Sequence, residues 1–221
     1  MALNDHISSH VSEDCKATLL LCHEFGEGRL HGDAKPLTIW EYGQFVRFLQ
    51  ELERRPSAVL QAETAEPILA RLPHELPATR VRSLLARGLS LSLALETWRS
   101  RGIWVISRAD AIYPSRLKER FRLEAPPVLF GVGSPAFLDA GGLGVFGSRN
   151  VDEEGLQFAY EIGRRCASEN HIVLSGCARG VDWAAMSGCL EAGGRGRVGG
   201  QNTPVLQASG RRIDGDSNQT G

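Results

Sequence analysis

An alternation of short apolar runs and helical segments between residues 143 and 194 constrains the fold of this chain more than any other feature. The runs "GLGVFGSR" and "HIVLS" are apolar and bounded by glycine or a polar residue, so each is predicted to be a strand. The segment between them, "DEEGLQFAYEIGRRCASEN", has acidic residues in its first turn and one apolar face, which predicts a helix. A second helix, "VDWAAMSGCLEAGG", follows the second strand. This order is typical of an α/β protein with a Rossmann-like, doubly wound and mostly parallel sheet.

Composition divides the chain into three predicted regions. Residues 1–101 are predicted to be a helical N-terminal region, because their apolar residues recur at helical spacing between Gly and Pro breaks. Residues 102–194 are predicted to be the Rossmann-like domain, whose first strands are "IWVIS" and "PPVLFGVG". Residues 195–221 are rich in Gly, Ser, Asn, Gln and Arg and contain only one apolar cluster, so they are predicted to be mostly disordered.

Three features predict local structure in the helical region. Thr38 and Glu41 have the spacing of a capping box, which places the start of a helix at residue 39. Gly88 and Gly102 each follow a helical pattern and are predicted to terminate a helix. Two aromatic side chains of this region are predicted to lie in its core rather than to serve as stacking platforms: Trp40 and Trp98.

Composition also argues against several classes of protein. No apolar run reaches the roughly 18 residues that a membrane span needs. The N-terminus has no basic segment followed by an apolar core, so no secretory signal is predicted. The five cysteines are odd in number and include no CxxC pair, which favours reduced thiols over disulfides or a zinc site. We therefore expect a cytoplasmic protein that is not associated with a membrane and holds neither a metal nor a cofactor.

Positive charge is concentrated in one part of the sequence although the whole chain has a net charge of -1. Between residues 71 and 122, ten Arg and one Lys face four acidic residues, which gives a local net charge of +7. Such asymmetry permits binding to a nucleic acid. A set of solvated helix faces is the alternative interpretation, and charge alone favours it.

Two loops of the predicted sheet carry the residues of a candidate phosphate site. The loop "GSRN" follows the strand ending at Phe146, and "SGCARG" follows the strand ending at Leu174. Both loops leave the edge of a parallel sheet where ligands bind, and both enter a helix N-terminus, which favours anions. Their arginines can bind phosphate in a bidentate manner, and their glycines allow close approach of backbone to a ligand. The predicted phosphate-binding residues are Gly147, Ser148, Arg149, Ser175, Gly176, Arg179, Gly180 and Asp182.

Individual residues of these loops also fit purely structural roles. Either loop alone fits a structural turn with an exposed arginine, and only the pair on one sheet edge favours anion binding. Asp182 lies in the first turn of its helix, so it can cap that helix or orient Arg179. Cys177 lies at a helix N-terminus, which can lower the pKa of a thiol, but a small buried side chain is the favoured interpretation. No catalytic residue is predicted.

The motifs "YPSRLKE", "PPVLFGVG", "VFGSRN" and "IVLSGCARGVDWAAMSGCLEAGG" resemble, in order and spacing, the DNA processing protein A (DprA/Smf) family. The resemblance covers roughly residues 100–194. It implies a Rossmann-like domain that binds single-stranded DNA, loads a RecA-type recombinase during natural transformation, acts as a homodimer and has no known catalytic reaction. It also implies that the "GSR" and "SGCARGVD" residues named above form the family's pocket.

The chain departs from this family at two places. Met186 stands where the family usually has histidine, and the strands expected after Gly194 are not recognisable in "GGRGRVGGQN". The tail reads as if the open reading frame had been cut or shifted. We therefore expect a marginally stable, aggregation-prone chain in which the family's dimer is doubtful, and a non-functional truncated copy stays an alternative.

Two further functions stay open. The same superfamily includes nucleoside monophosphate phosphoribohydrolases of the Lonely Guy type, which cleave an N-glycosidic bond and carry a PGGxGTxxE motif. That motif is absent from this sequence. The second alternative is a sensor module that binds a free nucleotide without turning it over. Titration with single-stranded DNA and with nucleoside monophosphates would separate these functions.

Overall fold

The computed structural model describes residues 11–25, 34–135 and 138–199, and the backbone of a strand at residues 205–209. The chain divides into two compact units, Met1–Phe130 and Gly131–Gly221. In the part of the chain that the structure describes, no helix is both long enough and apolar enough to cross a bilayer.

The first unit is mainly helical. Its helices are α1 (Glu13–Cys22), α2 (Ile39–Glu51), α3 (Ala62–Leu69), α4 (Ala78–Leu85), α5 (Gly88–Ser100) and α6 (Ser115–Phe121), with 3₁₀ turns at Pro56–Val59 and Arg122–Glu124. Strand β1 (Ile103–Ser107) lies beside β2 (Val128–Val132). Apolar side chains of α1 to α4 form the main core, in which Tyr42 and Phe45 are fully buried.

A buried carboxylate of α1, that of Asp14, is hydrogen-bonded at one side of this core. Asp14 is 7% exposed and accepts hydrogen bonds from Arg55 Nε at 2.6 Å and from the amide of Ser57 at 2.8 Å. Beside it, the hydroxyls of Thr18 and Tyr42 lie 2.7 Å apart. Because each of these polar groups has a partner, the interior of the helical unit holds them without the cost of an unpaired donor or acceptor.

The predictions for the helical region have mixed outcomes. The capping box of Thr38 and Glu41 is confirmed, and Gly102 ends α5 with a φ of +67°. The prediction for Gly88 is wrong, because Gly88 is the first residue of α5 rather than the end of the preceding helix. Trp40 is 54% exposed, so its predicted place in the core is also wrong. Trp98 is half-buried and packs edge-to-face on Phe130 at a ring distance of 4.9 Å.

The second unit is an α/β structure. After β2 come β3 (Leu143–Gly144), α7 (Glu153–Ser168), β4 (Ile172–Ser175), α8 (Val181–Glu191), β5 (Arg195–Val198) and β6 (Val205–Ser209). The strand order is β2-β6-β5-β4-β3, and all neighbours are parallel except the antiparallel pair β5 and β6. The predicted α/β fold with a mostly parallel sheet is therefore confirmed.

Glycines allow α7 and α8 to pack against each other as well as against β4. A Cβ at Gly163 would overlap the carbonyl oxygen of Ala185, and a Cβ at Gly188 would overlap that of Tyr160. The two helix backbones therefore touch at these positions. Ala159, Cys166 and other apolar residues of both helices complete the core of this unit beneath them.

The structure differs from the predicted disordered tail. Residues Arg195–Val198 form β5 beside β4, and Val205–Ser209 form β6, so the sheet continues beyond residue 194. In β5 the residues alternate, with Gly196 and Val198 buried and both arginines partly exposed. This alternation is the pattern of a half-buried strand. The rest of the predicted tail, residues 200–204 and 210–221, lies outside the described residues.

We expect alanine at Gly163 or Gly188 to destabilise the second unit. The added methyl group must displace a helix backbone, and overpacking of this kind costs about 1–3 kcal/mol. Urea unfolding measures the loss. Gly88→Ala is the matched control, because a Cβ there has no atom within 4 Å, and it should be neutral or slightly stabilising. Equal stability of Gly163→Ala and the wild type would show that the helices are further apart than described.

The ion pair between Arg80 and Glu41 predicts a pH dependence of stability in the first unit. Arg80 donates to both carboxylate oxygens of Glu41 at 2.6 and 3.1 Å. Its hydrogen bonds are the main cause that lowers the pKa of Glu41 to about 2 from an ordinary value of 4.5. Since the folded pKa lies below the unfolded one, the stabilisation is present above pH 4.5 and is lost as the pH falls towards 2.

We therefore expect Glu41→Gln to lower the free energy of unfolding at pH 7 by about 1–3 kcal/mol and to flatten its dependence on pH between about 5 and 2. Denaturant unfolding at a series of pH values is the measurement. Glu51→Gln, on the exposed face of the same helix and without an ion-pair partner among the described residues, should leave the acid profile unchanged. An unchanged profile for Glu41→Gln would contradict the prediction.

Candidate phosphate-binding loops

The two predicted loops lie at the same edge of the sheet. Strands β3 and β4 are parallel neighbours, with Leu143 opposite Val173 and Gly144 opposite Leu174. The loop before α7 contains "GSRN", and the loop before α8 contains "SGCARG". The expectation that the two strands are adjacent is thus confirmed, and it brings both loops to the carboxyl end of the sheet.

Asp182 joins the two loops. Its side chain is in the first turn of α8, and the residue is 5% exposed. One carboxylate oxygen accepts from the amide of Gly147 at 3.0 Å, and the other accepts from the amide of Gly176 at 3.1 Å. Both glycine amides are therefore occupied within the protein. Of the two roles considered for Asp182, capping its helix and orienting Arg179, the structure has neither; the carboxylate bridges the loops.

Close backbone contact makes a second connection between the loops. The amide of Val181 donates to the carbonyl oxygen of Ser148 at 3.2 Å. Gly180 has a φ of +93°, and a Cβ there would overlap the same carbonyl. Glycine is thus required at this position both by its backbone conformation and by the space available.

Several polar groups of the loops stay unpaired among the described residues. Arg149 is exposed, and its guanidinium has no hydrogen-bond or ion-pair partner in that part of the chain. Arg179 is also exposed and donates from Nη2 to Asn150 Oδ1 at 2.5 Å, which leaves other guanidinium hydrogens free. Backbone amides without a hydrogen-bond partner in the described part are those of Ser148, Arg149, Cys177, Ala178, Arg179 and Gly180.

The two serines differ in their surroundings. Ser148 Oγ donates to the carbonyl of Asn150 at 2.7 Å and accepts from the amide of the same residue at 3.1 Å, so it shapes its own turn. Ser175 is 2% exposed, and its Oγ has no partner among the described residues. A buried hydroxyl normally has a partner. This unpaired hydroxyl lies at the end of β4, beside the loop with the free amides.

Cys177 and Met186 differ in burial, and neither is placed as a reactive group. Cys177 has a φ of +55° and is half-buried. Burial, and then the neighbouring charge of Asp182, raise the pKa of the Cys177 thiol, so the thiol is protonated at neutral pH. Met186 is 1% exposed, and a Cβ at Gly196 would overlap its sulfur. Met186 therefore fills the core between α8 and β5.

Gly142, Gly144 and Gly147 have the Gly-x-Gly-x-x-Gly spacing, which sequence reasoning did not recognise. In dinucleotide-binding proteins these glycines follow a strand and open a helix directly. In this chain Gly144 is part of β3, and α7 begins only at Glu153. The spacing therefore does not form the turn that holds a pyrophosphate.

We expect Asp182→Ala to disrupt the loops and to destabilise the second unit by about 1–3 kcal/mol, since two hydrogen bonds to a charged acceptor are lost. Chemical denaturation and amide hydrogen exchange at Gly147 and Gly176 are the measurements. Arg149→Ala serves as the control, because it changes an exposed side chain of the same site and should keep the wild-type stability. Protected glycine amides in Asp182→Ala would contradict the bridging role.

Part of this chain, including both loops, is similar to known proteins. Residues 104–199 match the family model described as DNA recombination-mediator protein A. The DNA processing protein DprA of Bacillus subtilis (strain 168) is 29% identical over 106 residues, which cover 48% of this chain and 35% of that protein. The X-ray structure of DNA processing protein A from Streptococcus pneumoniae superposes with a TM-score of 0.48 and 22% identity, over 72% of this chain and 56% of that one.

The chain thus spans about a third of the length of the curated relative and little more than half of the solved structure. The matched segment contains both loops, the Asp182 bridge and the strands β4 and β5. Over residues 104–199, which include both loops, the chain is therefore similar to the DNA recombination-mediator protein A family.

Proposed function

We propose that this chain is a DNA-processing protein that binds single-stranded DNA on the loops carrying Arg149 and Arg179. The observation that carries the proposal is the exposed Arg149 guanidinium, without a partner among the described residues, beside a row of unpaired amides. Such a surface stabilises phosphate through charge-assisted hydrogen bonds.

The exposure of the two loops favours a phosphate group of a large ligand over a small metabolite that binds in a closed pocket. Both arginines are exposed, and Arg179 is held at one end by Asn150 so that its remaining hydrogens are oriented. The bridge from Asp182 fixes the spacing of the two loops, and this preorganisation reduces the entropy lost on binding. Ser175 Oγ adds a hydroxyl without a partner in the described chain at the base of the site.

Single-stranded DNA is the preferred ligand because the described residues of the site offer phosphate contacts and no helix that is suited to base reading in a duplex. Sequence-specific duplex binding uses side chains of a helix or ribbon in the major groove. In contrast, the donors at this sheet edge are loop arginines and backbone amides, which contact phosphates of any sequence. We therefore propose binding with little sequence preference.

The proposed biological role rests on the similarity of residues 104–199 to the DNA recombination-mediator protein A family. The relative from Bacillus subtilis is named DNA processing protein DprA, and the matching family model is named for a DNA recombination mediator. We propose that the chain supports transformation by loading a RecA-type recombinase on single-stranded DNA in the cytoplasm, without a catalytic reaction of its own.

We expect the double variant Arg149→Ala/Arg179→Ala to bind an oligothymidylate at least about tenfold more weakly than the wild type. The slope of log affinity against log salt should fall by about one for each lost phosphate contact. Fluorescence anisotropy at several salt concentrations is the measurement. Thermal midpoints should be nearly unchanged, because both side chains are exposed.

Three comparisons make this experiment decisive. Arg164→Ala/Arg165→Ala removes the same charge from the exposed side of α7 and should retain most of the affinity. Duplex DNA of equal length should bind more weakly, and equal affinity would refute the preference for single strands. Nucleoside monophosphates, followed for release of free base, test the enzyme alternative: turnover of any of them would overturn the proposal.

A further inference from the structure

A second group of cations converges within the helical unit, apart from the two loops. A cavity of about 570 Å³ lies between the C-terminal part of α2, the turn after β1 and the segment at the end of α6. Its cationic lining residues are Arg54, Arg55, Arg108, Lys118 and Arg122, and none of the described lining residues is acidic. Apolar side chains, including Val46 and Leu49, form the rest of the wall.

Two of these cations are half-buried and have no carboxylate partner among the described residues. Arg108 Nη1 donates to the carbonyl oxygen of Leu123 at 2.9 Å, and its guanidinium lies 5.3 Å from the ring centre of Tyr42. Lys118 Nζ donates to the carbonyl oxygen of Asp110 at 3.5 Å and lies 5.5 Å from the ring centre of Tyr113. Carbonyl dipoles and rings orient these cations without neutralising their charge.

Two acidic side chains of the neighbouring segments, Asp14 and Asp110, are bound within the fold. Asp14 is bound by Arg55, with Arg55 Nη2 at 2.5 Å. Asp110 accepts from the amide of Ser107 at 2.6 Å and from Ser12 Oγ at 2.5 Å, which directs its carboxylate into the fold. Because the described lining residues include five cations and no acid, the lining of the cavity carries an excess of positive charge.

Two exposed arginines complete the rim. Arg54 ends the turn after α2, and Arg122 follows α6 with a φ of +49°, a conformation that is uncommon for a residue with a side chain. Neither side chain has a hydrogen-bond or ion-pair partner among the described residues. Both can therefore turn towards a ligand without breaking an existing contact.

The geometry points to a second anion-binding site in this cavity, for a ligand that carries phosphate groups. Arg108 and Lys118 would form the inner wall, and Arg54 and Arg122 would close over the ligand from the rim. Four cations exceed the need of a single carboxylate, whereas a chain of phosphates carries one or more charges per group and accepts bidentate arginine bonds. The phosphates can come from a free polyphosphate or nucleotide, or from a nucleic-acid strand. This site is independent of the proposed function of the two loops.

Isothermal titration calorimetry with inorganic tripolyphosphate tests the site on the full chain at low ionic strength. We expect Arg54→Gln/Arg122→Gln to lower the affinity at least about tenfold. The fold should be retained, because both side chains are exposed and lack a partner in the described chain, and a thermal scan checks this. The control Arg99→Gln/Arg101→Gln removes the same charge from the end of α5 and should keep the affinity within about twofold.

The loop variant Arg149→Ala/Arg179→Ala separates this site from the other. If it still binds tripolyphosphate and Arg54→Gln/Arg122→Gln in that background does not, the cavity site is supported whatever becomes of the DNA-binding proposal. If the cavity variant binds as the wild type does, or if the α5 control loses as much affinity, the site is refuted. A parallel titration with oligothymidylate assigns the source: a loss of affinity in the cavity variant indicates a nucleic-acid strand, and no loss indicates a free phosphate compound.

Discussion

The carboxylate of Asp182 connects the two loops of the candidate site, because it accepts a hydrogen bond from one backbone amide of each loop. A carboxylate in the first turn of α8 also interacts favourably with the positive end of that helix. Asp182 is nearly buried, and each of its carboxylate oxygens already accepts a hydrogen bond from a loop amide. Its role is therefore to fix the positions of the two loops. The two arginines of the loops, Arg149 and Arg179, are exposed. The site thus depends on a charge of the same sign as the phosphate proposed to bind there.

Glycine serves two purposes in the second unit, and both determine where the loops lie. At Gly180 it permits a positive φ and close contact with the neighbouring loop. At Gly163 and Gly188 it lets the backbones of α7 and α8 touch, which fixes the helix that carries Asp182. Met186 fits the space over Gly196 on the inner side of α8. Met186 is therefore part of the core of this unit.

Sequence reasoning found the features that depend on local pattern, and it missed those that depend on distant partners. The adjacency of β3 and β4 and the capping box at Thr38 follow from periodicity and spacing, and the structure confirms both. The bond between Asp182 and Gly147 joins residues 35 positions apart, so no local signal contains it. The segment "RGRV" has the polar composition of a disordered tail, and yet it forms β5. Its strand signal lies in the alternation of buried and exposed positions once β4 is beside it.

The charge distribution of the helical unit also could not be predicted from the sequence alone. The excess of +7 between residues 71 and 122 is reduced by acids from outside that window, since Arg80 pairs with Glu41 and Arg82 pairs with Glu66. Exposed pairs of the second kind contribute little to stability, but they do remove free positive charge from the surface. Among the remaining cations of the window, Arg108 and Lys118 line the same cavity as Arg54, a residue that the window does not include. Because tertiary pairing decides which cations stay unneutralised, the position of an anion site is a property of the folded chain rather than of its local composition.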